Sequence, residues 1–318
     1  MVRPRAVWIR LAVAACCLSN LLTRAVRAEE PAKRTEPVRI GLVRSLYRDT
    51  PEALVQVMME PFSSLMEKQT GVAGRLVMAG EAYELAQQLK ADKFQLGIFQ
   101  GVEYAWVQQE IPELKPLTIA INKRRHLQAC LVARADSEVK TFDDLRQKSV
   151  ALPRHSREHC HLFLARCCRE QGQDAKHYFS LLATPAGVEP ALDDVVRGKV
   201  QAAVVDAVGL ESYKHEKPGC FERLKTIKLS EAFPAAVIVY YRGHLGAATL
   251  DKFKDGMARA NDSGVGRQLL AAVRWTGFEP VPADYQKTLT DILKVYPPPT
   301  PGERAVTAPA KTTATHQP

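Results

Sequence analysis

The sequence of 318 residues lacks the short motifs that mark common enzymes and cofactor sites. It contains no GxSxG, HExxH, Walker or GxGxxG pattern, and it contains neither CxxC nor the haem-attachment pattern CxxCH. An enzyme needs a nucleophile with its base, or an acid paired with a base, and no such constellation is indicated. We therefore predict that the protein is not an enzyme and that it uses no cofactor.

The chain also lacks an apolar run long enough to cross a membrane, and no repeat of solenoid period is visible. Its N-terminus instead has arginines around an apolar stretch that ends in the small-residue cleavage pattern Val26-Arg27-Ala28. We predict a signal peptide over residues 1–28 and a secreted, periplasmic or otherwise extracytoplasmic protein. An alternative is a lipoprotein cleavage box before Cys16, which would attach a lipid to that cysteine.

Net positive charge is concentrated in this leader. The whole chain carries +9, and residues 1–28 hold five arginines and no acids, so the remainder carries 9 − 5 = +4. This weak basic balance does not favour nucleic acid binding, but it suits a protein that meets small anions.

Five cysteines follow the leader, which is an odd number for a compartment where disulfides form. They allow at most two bridges, and the pairing stays open. In the stretch HSREHCHLFLARCC, His155, His159 and Cys160 are weak candidates for a transition-metal site. Buried cysteines and solvent-facing histidines are the simpler interpretation, and a metal-binding or redox protein is an alternative function.

Strands and helices alternate in the first part of the chain. The predicted elements are a strand at 38–43, a helix from about 52 to 69, a strand at 75–78, a helix at 81–91, a strand at 94–99 and a helix at 102–109. This order calls for a parallel sheet covered on both faces. Ligands bind at the carboxyl edge of such a sheet, where the helix after Gln100-Gly101 would offer backbone N–H groups to an anion.

A second strand-helix series follows, so we predict two similar lobes with a cleft between them. Lobe one is predicted from residues 37–125 plus 236–296, and lobe two from residues 130–232. The Pro/Thr-rich residues 297–318 are predicted to be a disordered tail.

Four separated stretches, in this order and spacing, resemble the phosphate/phosphonate-type periplasmic solute-binding proteins of ABC transporters. They are LGIFQGVEYAWV at 96–107, LVARADSEVKTFDDLRQKSVAL at 131–152, ALDDVVRGKVQAAVVD at 191–206 and FPAAVIVYY at 233–241. The resemblance implies the two-lobed α/β fold of type II periplasmic binding proteins, in which each lobe is a mostly parallel sheet flanked by helices. It also implies a monomer that captures a small anionic solute, phosphate- or phosphonate-like, and delivers it to a membrane permease. A sensor of the same fold is an alternative that the sequence does not separate.

Seven residues at strand-to-helix joints are predicted to bind the ligand: Ser45, Tyr47, Gln100, Tyr104, Ser156, Arg157 and Asp206. Four of them, Tyr47, Tyr104, Ser156 and Asp206, match positions that line the cleft in the family that the chain resembles. Hydroxyl groups can donate to an oxyanion without adding charge. Arg157 follows at a helix start, where its guanidinium suits a charge-assisted contact. For Asp206, a helix cap after a strand is an equally good interpretation.

One stretch departs from the family. Where the family has a Ser/Thr-Ser/Thr-Ser-Gly run, this chain has Ser156-Arg157-Glu158-His159 and keeps only the first hydroxyl. We therefore predict an altered ligand specificity on an unchanged fold.

Overall fold

The computed structural model describes residues 36–48 and 50–300. The predicted signal peptide, the alternative lipid site at Cys16 and the tail from residue 301 onward lie outside the described residues. Among the helices of the described part, none is both long and apolar enough to cross a membrane.

Six strands from two separate parts of the chain form the larger sheet, which defines lobe one here. They are β1 (Val38–Leu42), β2 (Gly74–Met78), β3 (Leu96–Phe99), β4 (Leu114–Ile121), β12 (Ala236–Tyr241) and β13 (Gly277–Glu279). Their order across the sheet is β13-β4-β12-β3-β1-β2.

The intervening part of the chain forms a five-stranded sheet, which defines lobe two. Its strands are β6 (Ala129–Arg134), β7 (Ser149–Ala151), β8 (Leu181–Ala183), β9 (Ala202–Asp206) and β10 (Leu224–Leu229). Their order is β10-β6-β9-β7-β8. Two short strands between the lobes, β5 (His126–Leu127) and β11 (Phe233–Pro234), form an antiparallel pair.

Helices flank both sheets. Those of lobe one are α1 (Glu52–Thr70), α2 (Ala82–Lys90), α3 (Gly101–Glu110), α9 (Ala247–Ala258), α10 (Gly264–Ala272) and α11 (Tyr285–Val295). Those of lobe two are α4 (Glu158–Glu170), α5 (Ala175–Tyr178), α6 (Val188–Val196), α7 (Ala207–Glu216) and α8 (Pro218–Phe221). Single 3-10 turns occur at Arg44–Tyr47 and Asp143–Leu145.

Each sheet is buried on both faces, because successive side chains of a strand point to opposite sides. In β12, Val237 and Val239 belong to the core that contains α2, α3 and α11, whereas Ile238 belongs to the core that contains α1, α9 and α10. In β6, the alternation of Leu131 and Val132 separates the two cores of lobe two in the same way. Sheets covered by helices on both faces are what the order of elements predicts.

Both sheets are mixed, which corrects the prediction of mostly parallel sheets. Pairing is parallel in two of the five strand pairs of lobe one and in two of the four of lobe two. The strands β6 and β12 are antiparallel to both of their neighbours. Each is the first strand of the main sheet after the chain crosses between lobes, so it begins at the cleft edge. The crossing strands therefore run opposite to the strands beside them. The strand β13 follows a helix but is also antiparallel to β4, so it runs in the same direction as β12.

The joint between β3 and α3 lies against one of the crossing segments. A Cβ atom added to Gly101 would lie 2.4 Å from the carbonyl oxygens of both Pro234 and Ala235. Only glycine allows so close a backbone approach. The joint between β3 and α3 is therefore packed against Pro234-Ala235 in the segment that crosses between the lobes, which we call the hinge.

The five cysteines after the leader all carry free thiols. Four of them are buried and one is half-buried: Cys130, Cys160, Cys167 and Cys168 are buried, and Cys220 is half-buried. In this structure, none of these five cysteines forms a disulfide bridge with another.

Candidate functional site

A cavity of about 440 Å³ lies between the lobes, and we call it the first cavity. Lobe one lines it with Ser45, Leu46, Tyr47, Arg48, Thr50, Pro51, Leu54, Met58, Gln100, Ala272, Val273, Arg274 and Trp275, and lobe two lines it with Arg154, His155, Ser156 and Arg157. Five of the seven predicted ligand-binding residues thus lie together. This volume is within the range of about 300–1,000 Å³ that is typical of small-molecule sites.

The lobe-one wall is held by hydrogen bonds within the lobe. Ser45 Oγ donates to Glu103 Oε2 at 2.8 Å, and the backbone N–H of Gln100 donates to the same oxygen at 3.3 Å. Gln100 Nε2 donates to the carbonyl oxygen of Ser45 at 3.4 Å. Gln100 and Glu103 form a reciprocal capping box at the start of α3, which fixes the joint. The hydroxyl proton of Ser45, predicted to contact the ligand, is therefore directed to Glu103.

Glu103 is a buried carboxyl group behind this wall. Burial raises the pKa of Glu103 to about 8, the nearby Glu158 and Glu81 add to the increase, and the bonds from Ser45 and Gln100 oppose it. At neutral pH the carboxyl group is mostly protonated, so it places little negative charge next to the cavity.

The two predicted tyrosines differ in position. Tyr47 lines the first cavity, and its hydroxyl group is 3.7 Å from the sulfur of Met59. Tyr104 is fully buried in the core of lobe one, where its hydroxyl group donates to the carbonyl oxygen of Leu114 at 3.1 Å. The structure therefore places the side chain of Tyr104 in the core of lobe one and outside the linings of both cavities in the cleft. Tyr104 sits one helical turn past the N-cap, and there the side chain turns into the core.

The lobe-two wall is bonded to lobe one. His155 Nδ1 donates to the carbonyl oxygen of Arg48 at 3.1 Å, and Glu158 forms a salt bridge with the Arg48 guanidinium. Arg274 Nη1 donates to the carbonyl oxygen of His155 at 2.6 Å, and Arg157 Nη2 donates in return to the carbonyl oxygen of Arg274. We call these five residues, Arg48, His155, Arg157, Glu158 and Arg274, the interlobe clasp.

The backbone of the clasp is unusual at two points. His155 has φ of 59° and Arg274 has φ of 58°, and few residues other than glycine adopt this left-handed region. Non-glycine residues in this region concentrate at binding and switch sites, where the surrounding contacts hold them. Ser156 lies between His155 and Arg157 in the sequence, and its hydroxyl group donates to the carbonyl oxygen of Pro153 at 2.6 Å.

A second cavity of about 400 Å³ adjoins the first. Six residues line both: Arg154, His155, Ser156, Arg157, Arg274 and Trp275. The other lining residues of the second cavity include Lys123, Asp206 and Ser212. The clasp therefore lies at the border of two connected parts of one cleft.

Asp206 lines the second cavity and also caps α7. Its Oδ1 accepts from the backbone N–H of Val208 at 2.8 Å and of Gly209 at 3.4 Å, and its Oδ2 lies 3.0 Å from Nε2 of His159. Burial works to raise the pKa of Asp206, but His159, Arg157 and the N–H of Val208 outweigh it, so the pKa lies below its usual value. The cap interpretation holds for this residue, which also faces the cleft.

The three weak metal candidates do not converge. His155 belongs to the clasp, and His159 is buried beside Asp206, with Cys160 Sγ 3.5 Å from its Nε2. Across residues 36–48 and 50–300, no three His, Cys, Asp or Glu side chains are grouped so that they could hold a metal ion.

Arginines dominate the electrostatics of the first cavity. Four of its lining residues are arginines, and none of the lining residues that the structure describes is an acid. Arg48 is paired with Glu158, and among residues 36–48 and 50–300 no carboxylate forms a salt bridge with Arg154, Arg157 or Arg274. Burial and the neighbouring Arg274 lower the pKa of Arg157, whereas Asp206 opposes this. A guanidinium remains charged in proteins and presents five N–H donors, so each clasp arginine has further donors for an anion.

The sequence alone did not identify Arg154, Arg274 and Trp275 as cavity residues. Arg154 is two residues before Ser156, which was predicted to bind the ligand, so its position in the sequence could have indicated it. Arg274 and Trp275 come from the connection between α10 and β13, more than 100 residues away along the chain. No local pattern marks them, since only the fold brings them to the cleft.

Comparison with known proteins agrees with this architecture. Residues 48–285, which are 238 of the 318, match the family described as "ABC transporter, phosphonate, periplasmic substrate-binding protein". No curated protein sequence matches the chain.

Solved structures with the same fold are only distantly related in sequence. A chloride-bound protein from Xanthomonas citri is 14% identical with a TM-score of 0.58, over 82% of this chain and 97% of that one. The binding protein component of a phosphonate ABC transporter from Pseudomonas aeruginosa is 16% identical with a TM-score of 0.52, over 86% and 93%. PhnD1 from Prochlorococcus marinus, in complex with methylphosphonate, is 14% identical with a TM-score of 0.51, over 81% and 96%.

These likenesses confirm the two-lobed α/β fold predicted from the order of elements. The family match confirms the resemblance that the four sequence stretches indicated, and it covers the whole cleft except Ser45, Leu46 and Tyr47. The chain belongs to the phosphonate-type periplasmic substrate-binding proteins of ABC transporters.

Proposed function

We propose that the protein captures a small oxyanion, phosphate- or phosphonate-like, between its two lobes and presents it to the membrane permease of an ABC transporter. The observation that carries this proposal is the cluster of Arg154, Arg157 and Arg274 at the cleft. Family membership supports the transport role, because substrate-binding proteins of this family imply a small solute and a permease partner.

The groups proposed to bind the ligand are mainly arginines, whereas the sequence predicted mainly hydroxyl groups. The hydroxyl protons of Ser45 and Ser156 are donated within the protein, so these groups are poor donors to a ligand unless they rotate. Arginine N–H groups supply charge-assisted bonds, which are about twice as strong as neutral ones. In our proposal Arg157 and Arg274 hold the oxyanion from the two lobes, and Arg154, Tyr47 and Gln100 complete its surroundings.

Capture and closure are linked in this arrangement. Arg157 and Arg274 approach each other only when the lobes are together, and burial of two neighbouring cations is unfavourable without an anion. An oxyanion between them would relieve that repulsion. Ligand binding would therefore favour the closed form, which is the form that a permease must distinguish.

Isothermal titration calorimetry of the purified protein with phosphate, phosphite, methylphosphonate and sulfate tests the proposal. We expect saturable binding of at least one of these anions at a single site. The substitution Arg157→Gln should weaken that binding about tenfold to a hundredfold, since a hydrogen bond to a charged group contributes about 1.5–3 kcal/mol.

The matched control is Arg75→Gln, which removes an exposed arginine from β2, outside both cavities. It should change the affinity by less than about twofold, because exposed and distant charges are screened. Absence of binding by all four anions, or equal losses in the two variants, would contradict the proposal.

A further inference from the structure

Three side chains join the two lobes at the hinge, outside both cavities. Arg166 belongs to α4 of lobe two, Glu231 lies in the hinge between β10 and β11, and Tyr296 follows α11 of lobe one. Arg166 Nη1 donates to Glu231 Oε1, and the hydroxyl group of Tyr296 donates to Glu231 Oε2 at 2.9 Å. We call these three residues the hinge network.

Tyr296 is fixed on the lobe-one side of this network. Its carbonyl oxygen accepts from Nε1 of Trp106 at 2.9 Å, and the centroid of its ring lies 4.6 Å from that of Phe233. Only 5% of Tyr296 is exposed. The family match ends at residue 285, so Tyr296 lies in a part of the chain that the match does not cover. The position of its hydroxyl group is therefore set by lobe one and the hinge.

Arg166 is fixed on the lobe-two side. Its Nε donates to Glu170 Oε1 at 2.7 Å, and Glu170 Oε2 accepts from Nζ of Lys228 in β10 at 3.3 Å. Its guanidinium also lies 5.4 Å from the centroid of the Tyr296 ring, a distance at which a cation–π contact is favourable. Each of these two partners of Glu231 is thus oriented within its own lobe, so little conformational entropy is lost when they meet.

Helix α4 connects the hinge network to the cleft. Arg157 is the N-cap of α4, and Arg166 lies roughly 13 Å further along the helix axis, at a rise of 1.5 Å per residue. Phe163 and Leu164, between these two arginines, are buried in the core of lobe two. The helix therefore moves together with its lobe, and a contact at Arg166 affects the position of Arg157.

Resting on the proposed function, we propose that the residues of the hinge network are positioning residues for oxyanion capture. They hold α4 where Arg157 meets Arg274 across the cleft. Because the network joins a side chain of each lobe, its bonds stabilise the arrangement with the lobes together relative to one with the lobes apart. Loss of one bond shifts the population toward the open arrangement, in which the two arginines do not share a ligand. The network thus raises the affinity of the site without touching the ligand.

The substitution Tyr296→Phe tests the inference by isothermal titration calorimetry with phosphate, phosphite, methylphosphonate and sulfate. It keeps the ring and removes only the hydroxyl group that donates to Glu231. We expect about fivefold weaker binding, since the carboxylate is partly exposed and one hydrogen bond to such a group contributes little more. Added to Arg157→Gln, the same substitution should weaken binding by less than about twofold, because the side chain that the network positions is already absent.

The matched control is Tyr213→Phe. Tyr213 is a buried tyrosine whose hydroxyl group donates to Asp193 Oδ1 at 2.7 Å, and both residues belong to helices of lobe two. Its substitution should lower the free energy of unfolding in urea but leave the dissociation constant of the anion unchanged. A merely structural role of Tyr296 would give this same pattern in Tyr296→Phe.

Three results would overturn the inference while leaving the proposed function intact. They are an unchanged dissociation constant in Tyr296→Phe, equal weakening of binding in Tyr213→Phe, and an undiminished loss when Tyr296→Phe is added to Arg157→Gln. If none of the four anions binds to the wild-type protein, both the inference and the proposed function fail.

Discussion

In the lobe-one wall of the first cavity, Ser45 and Gln100 are bonded within their own lobe, whereas His155 and Arg157 of the lobe-two wall are bonded to the opposite lobe. Ser45, Gln100 and Glu103 are buried and form a closed set of hydrogen bonds behind the lobe-one surface. Across the cleft, His155 and Arg157 donate to carbonyl oxygens of lobe one. The part of the lobe-one wall formed by Ser45 and Gln100 keeps its hydrogen bonds whatever the distance between the lobes, whereas Arg48, Arg274 and the lobe-two wall acquire their contacts on closure.

This difference assigns separate tasks to the two walls. A wall that is fixed before the ligand arrives loses little conformational entropy on binding, which favours affinity. A wall that depends on contacts with the other lobe links the geometry of the site to closure of the cleft, which favours signalling to a partner.

At a fixed pH, the largest effect is expected from Gly101→Ala, which changes the joint behind the Ser45 and Gln100 surface. The new Cβ atom would lie 2.4 Å from two backbone carbonyl oxygens of the crossing segment, and backbone cannot move aside as a side chain can. Overpacking of this kind costs about 1–3 kcal/mol, and contacts with backbone belong at the upper end. We expect the free energy of unfolding, measured by urea titration, to fall by about 3 kcal/mol.

Gly246→Ala serves as the control for that experiment. Gly246 has φ of −69°, which any residue adopts, and no atom lies within 4 Å of a Cβ atom placed there. Gly246 is the N-cap of α9, where alanine is a poorer cap than glycine, so its substitution should lower the free energy of unfolding by no more than about 1 kcal/mol. Similar losses in both variants would mean that the joint between β3 and α3 is not packed tightly against the hinge.

How well each wall could be predicted from the sequence follows from the same difference. The lobe-one wall is local: β3, Gln100 and α3 are consecutive, so an apolar run, a polar residue and a glycine were enough to locate the joint. The direction of the Tyr104 side chain was not predictable, because it depends on whether a helix face meets the core or the cleft. Helical periodicity did not separate these faces, since seven consecutive residues from Gly101 to Val107 are buried.

The lobe-two wall required tertiary information. Ser156 and Arg157 were predicted from their position at a helix start, but the partner of Arg157 is the carbonyl oxygen of Arg274, 117 residues later. The unusual stretch from Ser156 to His159 is explained by these distant partners, since Glu158 pairs with Arg48 and His159 contacts Asp206. Mixed sheets escaped prediction for a similar reason, because strand direction depends on where the chain crosses between lobes.

A second prediction concerns the pH dependence of the fixed wall. The pKa of Glu103 rises from 4.5 to about 8 on folding, so the native protein retains a proton that the unfolded chain releases between these values. The contribution of this group to stability is present below about pH 4.5 and is lost as pH rises toward 8. The slope from this one proton is at most about 1.4 kcal/mol per pH unit.

Urea unfolding of the wild-type protein and of Glu103→Gln at pH 5, 6, 7 and 8 measures that slope. The variant keeps a side-chain oxygen for Ser45 and Gln100 but has no titrating group, so its stability should decline less steeply across this range. Glu60→Gln, at an exposed position of α1, should follow the wild-type slope. Parallel curves for all three proteins would show that Glu103 is already ionised in the native state.

The smallest effect is expected for the salt bridge between Arg48 and Glu158, which belongs to the closure-dependent wall. The side chains are 39% and 12% exposed, so solvent screens the pair in part. A double-mutant cycle with Arg48→Gln and Glu158→Gln should give a coupling of about 0.5–1 kcal/mol in the free energy of unfolding. If this bond helps to keep the lobes together, small-angle X-ray scattering of each ligand-free variant should also give a larger radius of gyration.

The pair Lys287 and Asp291 is the matched control for this cycle. It joins two positions of α11 and does not span the cleft, and its side chains are 79% and 45% exposed. Substituting it can therefore change stability by a few tenths of a kcal/mol without changing the distance between the lobes. An unchanged radius of gyration in Arg48→Gln, together with a coupling near zero, would mean that the clasp forms only after the ligand has closed the cleft.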